Sequence, residues 1–406
     1  MSARFARRLD GMKASEIREL LKITQRPEVI SFAGGLPAPE LFPIEDLKVV
    51  MAEVLEREGP RALQYSTTEG HPGLREAIAR RLNSRLGLAV EAAGILVTSG
   101  SQQGLDLTGK VFLDDDDEVL CESPTYLGAI NAFRAYRPRF VEVPTDDDGM
   151  IPAELERAVA GCRSPKLLYV VPNFQNPSGR TWSLERRHAV LDAAARHGLV
   201  VIEDDPYGQL CYEGTTPPAL ASLAGAVPVV YLGTFSKIFC PGMRIGWLAA
   251  PREIYEKYAI VKQGADLHTS TLAQHEILAY LERFDLDASI ARICEVYRSR
   301  RDAMLRALES EFPSWVSWTR PRGGLFLWAT LPEGVSAREA LVRALERDVA
   351  FVPGGSFFPN GGHENTLRLN FSNMPEARIS EGIARLGAVL RELRAARGGG
   401  AGSAQA

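Results

Sequence analysis

Between residues 95 and 250, short apolar runs alternate with stretches that carry apolar residues at helical spacing, and this alternation limits the possible folds more than any other feature. Strands and helices that alternate in this way predict a mostly parallel sheet with helices on both faces. We therefore predict an α/β fold whose large domain has a seven-stranded sheet, with ligands at the carboxyl ends of the strands. The predicted strands are near 95–98, 118–121, 139–143, 166–171, 199–204, 229–234 and 245–250, and the helices fit 101–112, 126–136, 152–160 and 183–197.

The pattern on either side of this region predicts a second, smaller domain. Residues 45–289 are assigned to the large domain, and 290–396 to a smaller α+β domain that the N-terminal segment 1–44 completes. The small residues of 397–406 have nothing to bury, so this tail is predicted to be disordered. The small-domain strands are expected near 315–319, 324–330, 349–352 and 366–371, with a helix near 336–347.

Composition excludes several classes of protein. The net charge of −4 argues against nucleic acid as the main partner. No apolar stretch approaches the ~20 residues of a membrane span. The five cysteines show neither disulfide nor zinc spacing, and the six histidines form no ligand pair. We expect a reduced, cytosolic, metal-free enzyme, while a targeting role for the basic residues of 1–13 stays open.

One strand end presents an isolated lysine. The predicted strand 229–234 leads through Thr234 and Ser236 to Lys237, and Arg244 follows seven residues later. A lysine that loses hydration is more easily neutral and able to attack a carbonyl, whereas hydroxyls and a guanidinium suit a phosphate. Pyridoxal 5'-phosphate carries both groups and is held by lysine. A solvated loop lysine is the alternative.

A second strand end offers an anion site. The sequence 98–104 joins a strand to a helix, so the amides of Gly100, Ser101 and Gln102 are expected to point at one spot. Ser101 as an ordinary N-cap is an equally good interpretation. The overlapping stretch from Gly104 resembles a nucleotide-binding loop, but Val111 stands where that loop needs Ser or Thr. We reject that alternative.

A third strand end carries acids. Asp204 closes the predicted strand 199–204, and Tyr207 follows after a proline. A buried aspartate is costly unless it is paired, and the ring nitrogen of the cofactor would be such a partner. Tyr207 would then reach the ring oxygen. The rival interpretation makes Asp204 and Asp205 metal ligands.

Four further residues are candidates with a plain alternative each. Asn176 before a proline is held extended and can aim its amide at a ligand, or is part of a common turn. Tyr126 stacks on a ring or caps a core. Arg368 clamps a carboxylate or forms a structural salt bridge. Gly35, the second of paired glycines, lets a ligand approach the backbone or simply forms a turn.

The N-terminal region predicts a short helix over 15–24. Ser15 is a suitable N-cap, and Ile17, Leu20 and Leu21 form an apolar stripe. Arg18 lies beside that stripe, where a solvated helix arginine is the plain interpretation.

Taken in order, these motifs resemble the class I and II pyridoxal-phosphate aminotransferases of fold type I, over about residues 14–390. The shared elements are Ser-Gly-Ser-Gln, Asn-Pro-Ser-Gly, Asp-Asp-Pro-Tyr, Thr-Phe-Ser-Lys and Leu-Arg-Leu-Asn. The resemblance implies that Lys237 carries the cofactor, that Asp204 binds its ring nitrogen, and that Arg368 binds the substrate carboxylate. It also implies a homodimer in which Tyr65 reaches the partner's site. The remaining implied cofactor contacts are Gly100, Ser101, Gln102, Tyr126, Asn176, Tyr207, Thr234, Ser236 and Arg244.

Within the family, the Gly-Gly-Leu-Pro stretch around Gly35 is most similar to the 2-aminoadipate branch. In that branch a mobile N-terminal helix carries a Ser and an Arg that read the distal carboxylate, so Ser15 and Arg18 are implied substrate residues. The resemblance implies amino-group transfer between an L-amino acid, 2-aminoadipate or glutamate first, and a 2-oxo acid such as 2-oxoglutarate. A branched-chain or aromatic preference, or a β-lyase or decarboxylase on the same fold, stays open.

Overall fold

The computed structural model describes residues 4–9, 12 and 26–398. Its largest sheet has eight strands, and the five strands in its middle run parallel. The strand order across the sheet is Ile95–Thr98, Gly246–Ala249, Val229–Thr234, Val200–Asp204, Pro165–Val170, Glu118–Ser123, Arg139–Asp146 and Gly149–Met150.

All seven predicted strands are present, but the count of seven was wrong. The eighth strand, Gly149–Met150, pairs antiparallel with the end of Arg139–Asp146. Two residues are too few to produce the alternation from which a strand is predicted. The correction does not affect the strand ends that carry the candidate residues.

The sheet is buried on both faces, as its apolar runs predict. In the strand Pro165–Val170, Leu167 and Tyr169 belong to one hydrophobic cluster, whereas Leu168 and Val170 belong to another. Successive side chains of a strand point to opposite faces, so each face packs against its own layer of helices. Because both faces of the sheet are packed, the strand ends keep fixed positions relative to one another.

The predicted helices of the large region are present, with small shifts at their ends. The helix predicted over 183–197 begins after Ser183, whose hydroxyl accepts the amide N–H of Arg186, and it is followed by Gly198 at φ +62°. The helix expected at 126–136 spans only Leu127–Arg134. The α-helices up to residue 250 are Ile44–Ala62, Pro72–Leu86, Ser101–Phe112, Leu127–Arg134, Pro152–Ala160, Leu184–Arg196 and Leu220–Leu223.

A second sheet lies in the C-terminal part of the chain. Its four antiparallel strands run in the order Ser317–Trp318, Phe326–Thr330, Thr366–Asn370 and Val352–Pro353. Arg368 lies in an interior strand, opposite Trp328 on one side and Val352 on the other. The N-terminal strand Ile30–Ser31 pairs with Val349–Ala350, which joins the N-terminal segment to this region. The domain boundaries at 44, 289 and 396 stay predictions.

Further helices follow residue 250, both between the two sheets in the sequence and at the C-terminal end of the described residues. The helices after residue 250 are Arg252–Asp266, Thr271–Arg283, Leu286–Glu311, Ala337–Leu345 and Glu376–Gly398. The last one includes the first two residues of the predicted tail, and 399–406 lie outside the described residues. Within the described residues, no helix is long and apolar enough to cross a bilayer.

Candidate active site

The carboxyl ends of the central strands and the second sheet enclose a cavity of about 510 Å³. Ligands of α/β proteins bind at such strand ends, and the volume is in the range of small-molecule sites. Twelve of the residues proposed from the sequence line it: Gly35, Ser101, Gln102, Tyr126, Asn176, Asp204, Tyr207, Thr234, Ser236, Lys237, Arg244 and Arg368.

Lys237 projects into the cavity three residues after the strand Val229–Thr234 ends. Its Nζ donates to the carbonyl oxygen of Gly35 at 2.7 Å. Burial, together with the nearby guanidinium groups of Arg368 and Arg244, lowers the pKa of the Lys237 amine to about 8. Because that value is close to neutral pH, a useful fraction of the amine is unprotonated and nucleophilic.

Asp204 ends the neighbouring strand and is 1% exposed. Its Oδ2 accepts the hydroxyl of Tyr169 at 2.8 Å, whereas Oδ1 is buried and accepts no hydrogen bond within the described residues. Burial raises the pKa of this carboxyl to about 7, although the Tyr169 hydrogen bond opposes the rise. A buried carboxylate oxygen without a donor is costly, so the site is built for a donor that comes with a ligand.

Asp205 is used differently, which argues against a metal pair. It is held by the amide N–H of Gly208 at 2.9 Å, by Asn173 Nδ2 at 3.0 Å and by the hydroxyl of Tyr231 at 3.1 Å. Its carboxylate is therefore satisfied by the protein itself. Among the residues that the structure describes, no three His, Cys, Asp or Glu side chains form a metal-ligand group.

Arg368 enters the cavity from the second sheet and is 2% exposed. Its guanidinium lies over the rings of Phe326 at 4.2 Å and Phe357 at 5.1 Å, and donates to Asn176 Oδ1 at 2.8 Å and to the carbonyl of Ala33 at 2.5 Å. Within the described part of the chain, no carboxylate pairs with it, and its Nε has no acceptor. The salt-bridge alternative is therefore wrong for these residues. Burial lowers the pKa of Arg368 to about 10, so the group stays charged at neutral pH.

The loop 171–181 carries Asn176, which lines the cavity together with Arg368. Asn176 is 4% exposed and is followed by a cis peptide bond to Pro177. Tyr207 lines the same wall, with its ring edge-on to Phe326 at 5.9 Å, and burial raises the pKa of its hydroxyl. The phenol is therefore a neutral hydrogen-bond donor at neutral pH.

The other end of the cavity is formed by the start of the helix Ser101–Phe112. Gly100, not Ser101, occupies the N-cap position, so the N-cap interpretation of Ser101 is wrong. The amide N–H groups of Ser101 and Gln102 lie in the first turn, where the helix supplies no acceptor. Gly100 has φ +78°, and a Cβ there would lie 2.5 Å from Nη2 of Arg244. Only glycine lets the guanidinium come this close to the loop.

Two hydroxyls and Arg244 complete this end. The hydroxyl of Thr234 donates to Ser236 Oγ at 2.9 Å, and both side chains line the cavity. Arg244 has φ +54°, in the left-handed region that non-glycine residues rarely adopt, and it donates to the carbonyl of Ser99 at 3.2 Å. Backbone N–H groups, hydroxyls and a guanidinium around one point form an anion site.

The structure does not bring every proposed residue into the cavity. Tyr65 is 79% exposed and contacts His268, with the ring centroids 5.7 Å apart. Ser15 and Arg18 lie outside the described residues. Sequence reasoning missed Phe326, which lines the cavity, and Tyr169, which holds Asp204. A tyrosine at the carboxyl end of a strand adjacent to Val200–Asp204 was the only available signal for Tyr169.

The arrangement supports one kind of chemistry. A partly neutral amine faces a cavity that has an anion site at one end and a buried guanidinium at the other. Asp204, whose buried Oδ1 has no hydrogen-bond donor among the described residues, lines the same cavity. Such a site can form a covalent bond to a carbonyl, hold a phosphate and a carboxylate at opposite ends, and stabilise a cationic ring nitrogen.

Comparison with known proteins identifies the family of this chain. The family model "Aminotransferase class I and II" matches residues 35–386. The chain is 45% identical to aromatic-amino-acid aminotransferase 1 of Thermococcus litoralis over 96% of this chain and 94% of that protein. It is 46% identical to the 2-aminoadipate transaminase of Thermus thermophilus, over 97% and 98% respectively. The solved alpha-aminoadipate aminotransferase of Thermus thermophilus, complexed with N-(5'-phosphopyridoxyl)-L-leucine, superposes with a TM-score of 0.91 at 45% identity, covering 97% of this chain and 98% of that one.

These matches span nearly the whole chain, including the cavity and both sheets. A lysine at the strand end, an acid on the neighbouring strand and an arginine from the second sheet all fall within residues 35–386. The chain belongs to the class I and II aminotransferases.

Proposed function

We propose that this aminotransferase uses pyridoxal 5'-phosphate held on Lys237 to move an amino group between an L-amino acid and a 2-oxo acid such as 2-oxoglutarate. The observation that carries the proposal is the unpartnered Oδ1 of buried Asp204 in the same cavity as the low-pKa amine of Lys237. The experiment is product analysis with glutamate and a panel of 2-oxo acids. One 2-oxoglutarate per amino acid formed supports transfer, whereas release of ammonia or carbon dioxide would indicate a lyase or decarboxylase.

The residues present fit the cofactor along its length. A protonated ring nitrogen would supply the donor that Asp204 Oδ1 lacks. The phosphate suits the anion site at Gly100, Ser101, Gln102, Thr234, Ser236 and Arg244. Tyr126 also lines the cavity, where its ring would stack on the cofactor ring. Asn176 and Tyr207 would donate to the ring oxygen.

The chain's own groups divide the work. When bound, pyridoxal phosphate supplies an electron sink that stabilises negative charge at the substrate Cα. Once the substrate amine has replaced it on the cofactor, the freed amine of Lys237 would take the proton from the substrate Cα and deliver it to the former aldehyde carbon of the cofactor as general acid–base, which its pKa near 8 permits. Asp204 keeps the ring nitrogen protonated by its charge. Arg368 orients the substrate by holding its α-carboxylate through two nitrogens.

The low pKa of Lys237 has a measurable consequence. We expect the rate at which pyridoxal phosphate attaches to the cofactor-free protein to rise with pH and to level near pH 8, because only the neutral amine attacks. The measurement is stopped-flow absorbance from pH 6 to pH 10. Free Nα-acetyl-lysine, whose amine has the ordinary pKa of about 10.4, is the control and should not level in that range. A protein rate that also keeps rising to pH 10 would contradict the assignment.

Arg368 is expected to be specific for the fork geometry. Replacing Arg368 by Lys keeps a charge but loses one of two charge-assisted hydrogen bonds, each worth about 1.5–3 kcal/mol. We therefore predict that kcat/KM falls about 10- to 150-fold for amino acids, measured by initial rates. Arg320 is exposed and lies outside the cavity, so Arg320→Lys is the matched control. Equal losses of kcat/KM for the two substitutions would contradict a role of Arg368 in substrate binding.

The preferred amino acid is proposed from the relatives. We place 2-aminoadipate and glutamate first because of the 2-aminoadipate relative, with Arg18 and Ser15 reading the distal carboxylate. The aromatic-amino-acid relative at 45% identity favours a broader range as the second candidate, including leucine and aromatic amino acids. A panel of donors with 2-oxoglutarate separates the two.

Arg18 tests the choice between these substrates. We expect Arg18→Ala to lower kcat/KM for 2-aminoadipate about tenfold or more, since a charge-assisted bond is lost, and to leave leucine within about twofold. Initial rates with the two donors measure this. Equal losses for both donors would mean that Arg18 has no part in specificity.

We also propose a homodimer with shared active sites. The helix Ile44–Ala62 and the segment after it expose large apolar side chains, with Leu63 at 70% and Tyr65 at 79% exposed. By helical spacing, the exposed Ile44, Met51 and Leu55 share one face of this helix, and exposed apolar residues on one face are typical of an association surface. In a dimer, Tyr65 would reach the phosphate end of the partner's cavity, as the family resemblance implies.

A further inference from the structure

A buried lysine outside the cavity has no part in the proposed chemistry. Lys262, on the helix Arg252–Asp266, has a side chain with 0% exposure. Its Nζ donates to Asp266 Oδ1 at 2.6 Å, one helical turn later. An ion pair of this kind is weak evidence for stability, because desolvation offsets most of the attraction. The role of this ion pair is therefore inferred from the other contacts of Asp266.

The second oxygen of Asp266 contacts the loop that forms the anion site. Asp266 Oδ2 accepts the hydroxyl of Ser99 at 3.1 Å. The amide N–H of Ser99 donates to Gln103 Oε1 at 2.8 Å, and its carbonyl accepts Arg244 Nη2 at 3.2 Å. Ser99 is thus held at its side chain, amide and carbonyl, directly before Gly100.

The backbone directly after Asp266 has a strained conformation. Leu267 has φ 64° and ψ −57°, and the amide of His268 donates to the carbonyl of Asp266 at 2.7 Å. These values define a γ-turn of the rare, strained kind. Strain of this type persists where the surroundings fix it and is concentrated at functional sites.

We propose that Lys262 and Asp266 are positioning residues for the phosphate group of the cofactor, an inference that rests on the proposed function. Lys262 fixes the carboxylate of Asp266, the carboxylate fixes Ser99, and Ser99 orients the amides of Ser101 and Gln102 together with Arg244. Neither residue lines the cavity, so neither touches the ring or the substrate.

The phosphate itself provides the test. We would measure, by fluorescence titration of the cofactor-free protein, the Kd of pyridoxal phosphate and of pyridoxal, which lacks the phosphate. For Asp266→Asn and Lys262→Met we expect the Kd of pyridoxal phosphate to rise about tenfold or more, and that of pyridoxal to change less than about twofold. Glu256→Gln is the matched control, since Glu256 pairs with Arg252 at the exposed start of the same helix.

A milder variant covers the case in which a buried substitution prevents folding. Ser99→Ala removes only the hydroxyl that Asp266 accepts, and we expect the same selective loss of pyridoxal phosphate affinity. Equal losses for both ligands, or no loss for either, would overturn the positioning role. A wild-type protein that binds neither ligand would instead refute the proposed function.

Discussion

Lys237→Ala is expected to lower kcat at least about a thousandfold, because in the proposed mechanism one side chain both holds the cofactor and moves the Cα proton. General acid–base catalysis alone typically contributes 10²–10⁴-fold. The measurement is the initial rate with glutamate and a 2-oxo acid at saturating cofactor. Exposed Lys257, on the helix Arg252–Asp266, supplies the control Lys257→Ala, which should retain full activity.

Chemical trapping checks the same assignment without relying on a rate. Borohydride should fix pyridoxal phosphate covalently to Lys237, and peptide mapping should find the label on residues around it. Label on another lysine, or full activity of Lys237→Ala, would end the assignment. The buried Lys262 should stay unlabelled because it does not line the cavity.

Asp204→Asn is expected to lower kcat about ten- to a thousandfold. A close carboxylate raises the pKa of a cationic partner by about 1–3 units, or roughly 1.4–4 kcal/mol, and the neutral amide lacks that charge. Tyr169→Phe is the comparison, since it removes the hydrogen bond to Oδ2 but leaves the carboxylate. We expect a smaller loss for Tyr169→Phe in the same assay.

Stability should change in the opposite direction, which separates a catalytic from a structural role. In the cofactor-free protein the pKa of Asp204 is raised from 3.8 to about 7, so between these values the folded state holds a proton that the unfolded state has lost. The free energy of unfolding therefore falls as pH rises through that window. Asp204→Asn removes this loss, so its stability relative to wild type should rise from about pH 4 to pH 7 in urea titrations. A stability difference between variant and wild type that stays constant from pH 4 to pH 7 would contradict this.

The strand ends could be predicted from the sequence because alternation and burial are local properties. Lys237, Asp204 and Ser101 each follow an apolar run, and parallel strands bring their carboxyl ends to one edge. Their roles remain predictions. The distances could not be predicted, because Arg368 reaches the cavity through the packing of a second sheet whose position depends on contacts far apart in the chain.

Other features had no local signal. The lack of a hydrogen-bond donor for Asp204 Oδ1 among the described residues could not be predicted, because it depends on which side chains surround that atom in the folded protein. Phe326 is one apolar residue in a buried strand, indistinguishable by periodicity from its neighbours. The complete burial of the Lys262 side chain had no signal in the sequence either, since it depends on packing that periodicity does not report.

The way in which Gly246 fits between its neighbours has a consequence for protein engineering. A Cβ at Gly246 would lie 2.7 Å from the backbone nitrogen of Ser101, and Gly246 pairs with both Thr98 and Thr234. The part of the cavity beside Ser101 is therefore fixed by the pairing of these strands, and we expect it to tolerate few substitutions. Phe326 belongs to a separate sheet, so we expect that exchanging it would reshape the cavity wall beside the substrate without disturbing the strand register around Gly246.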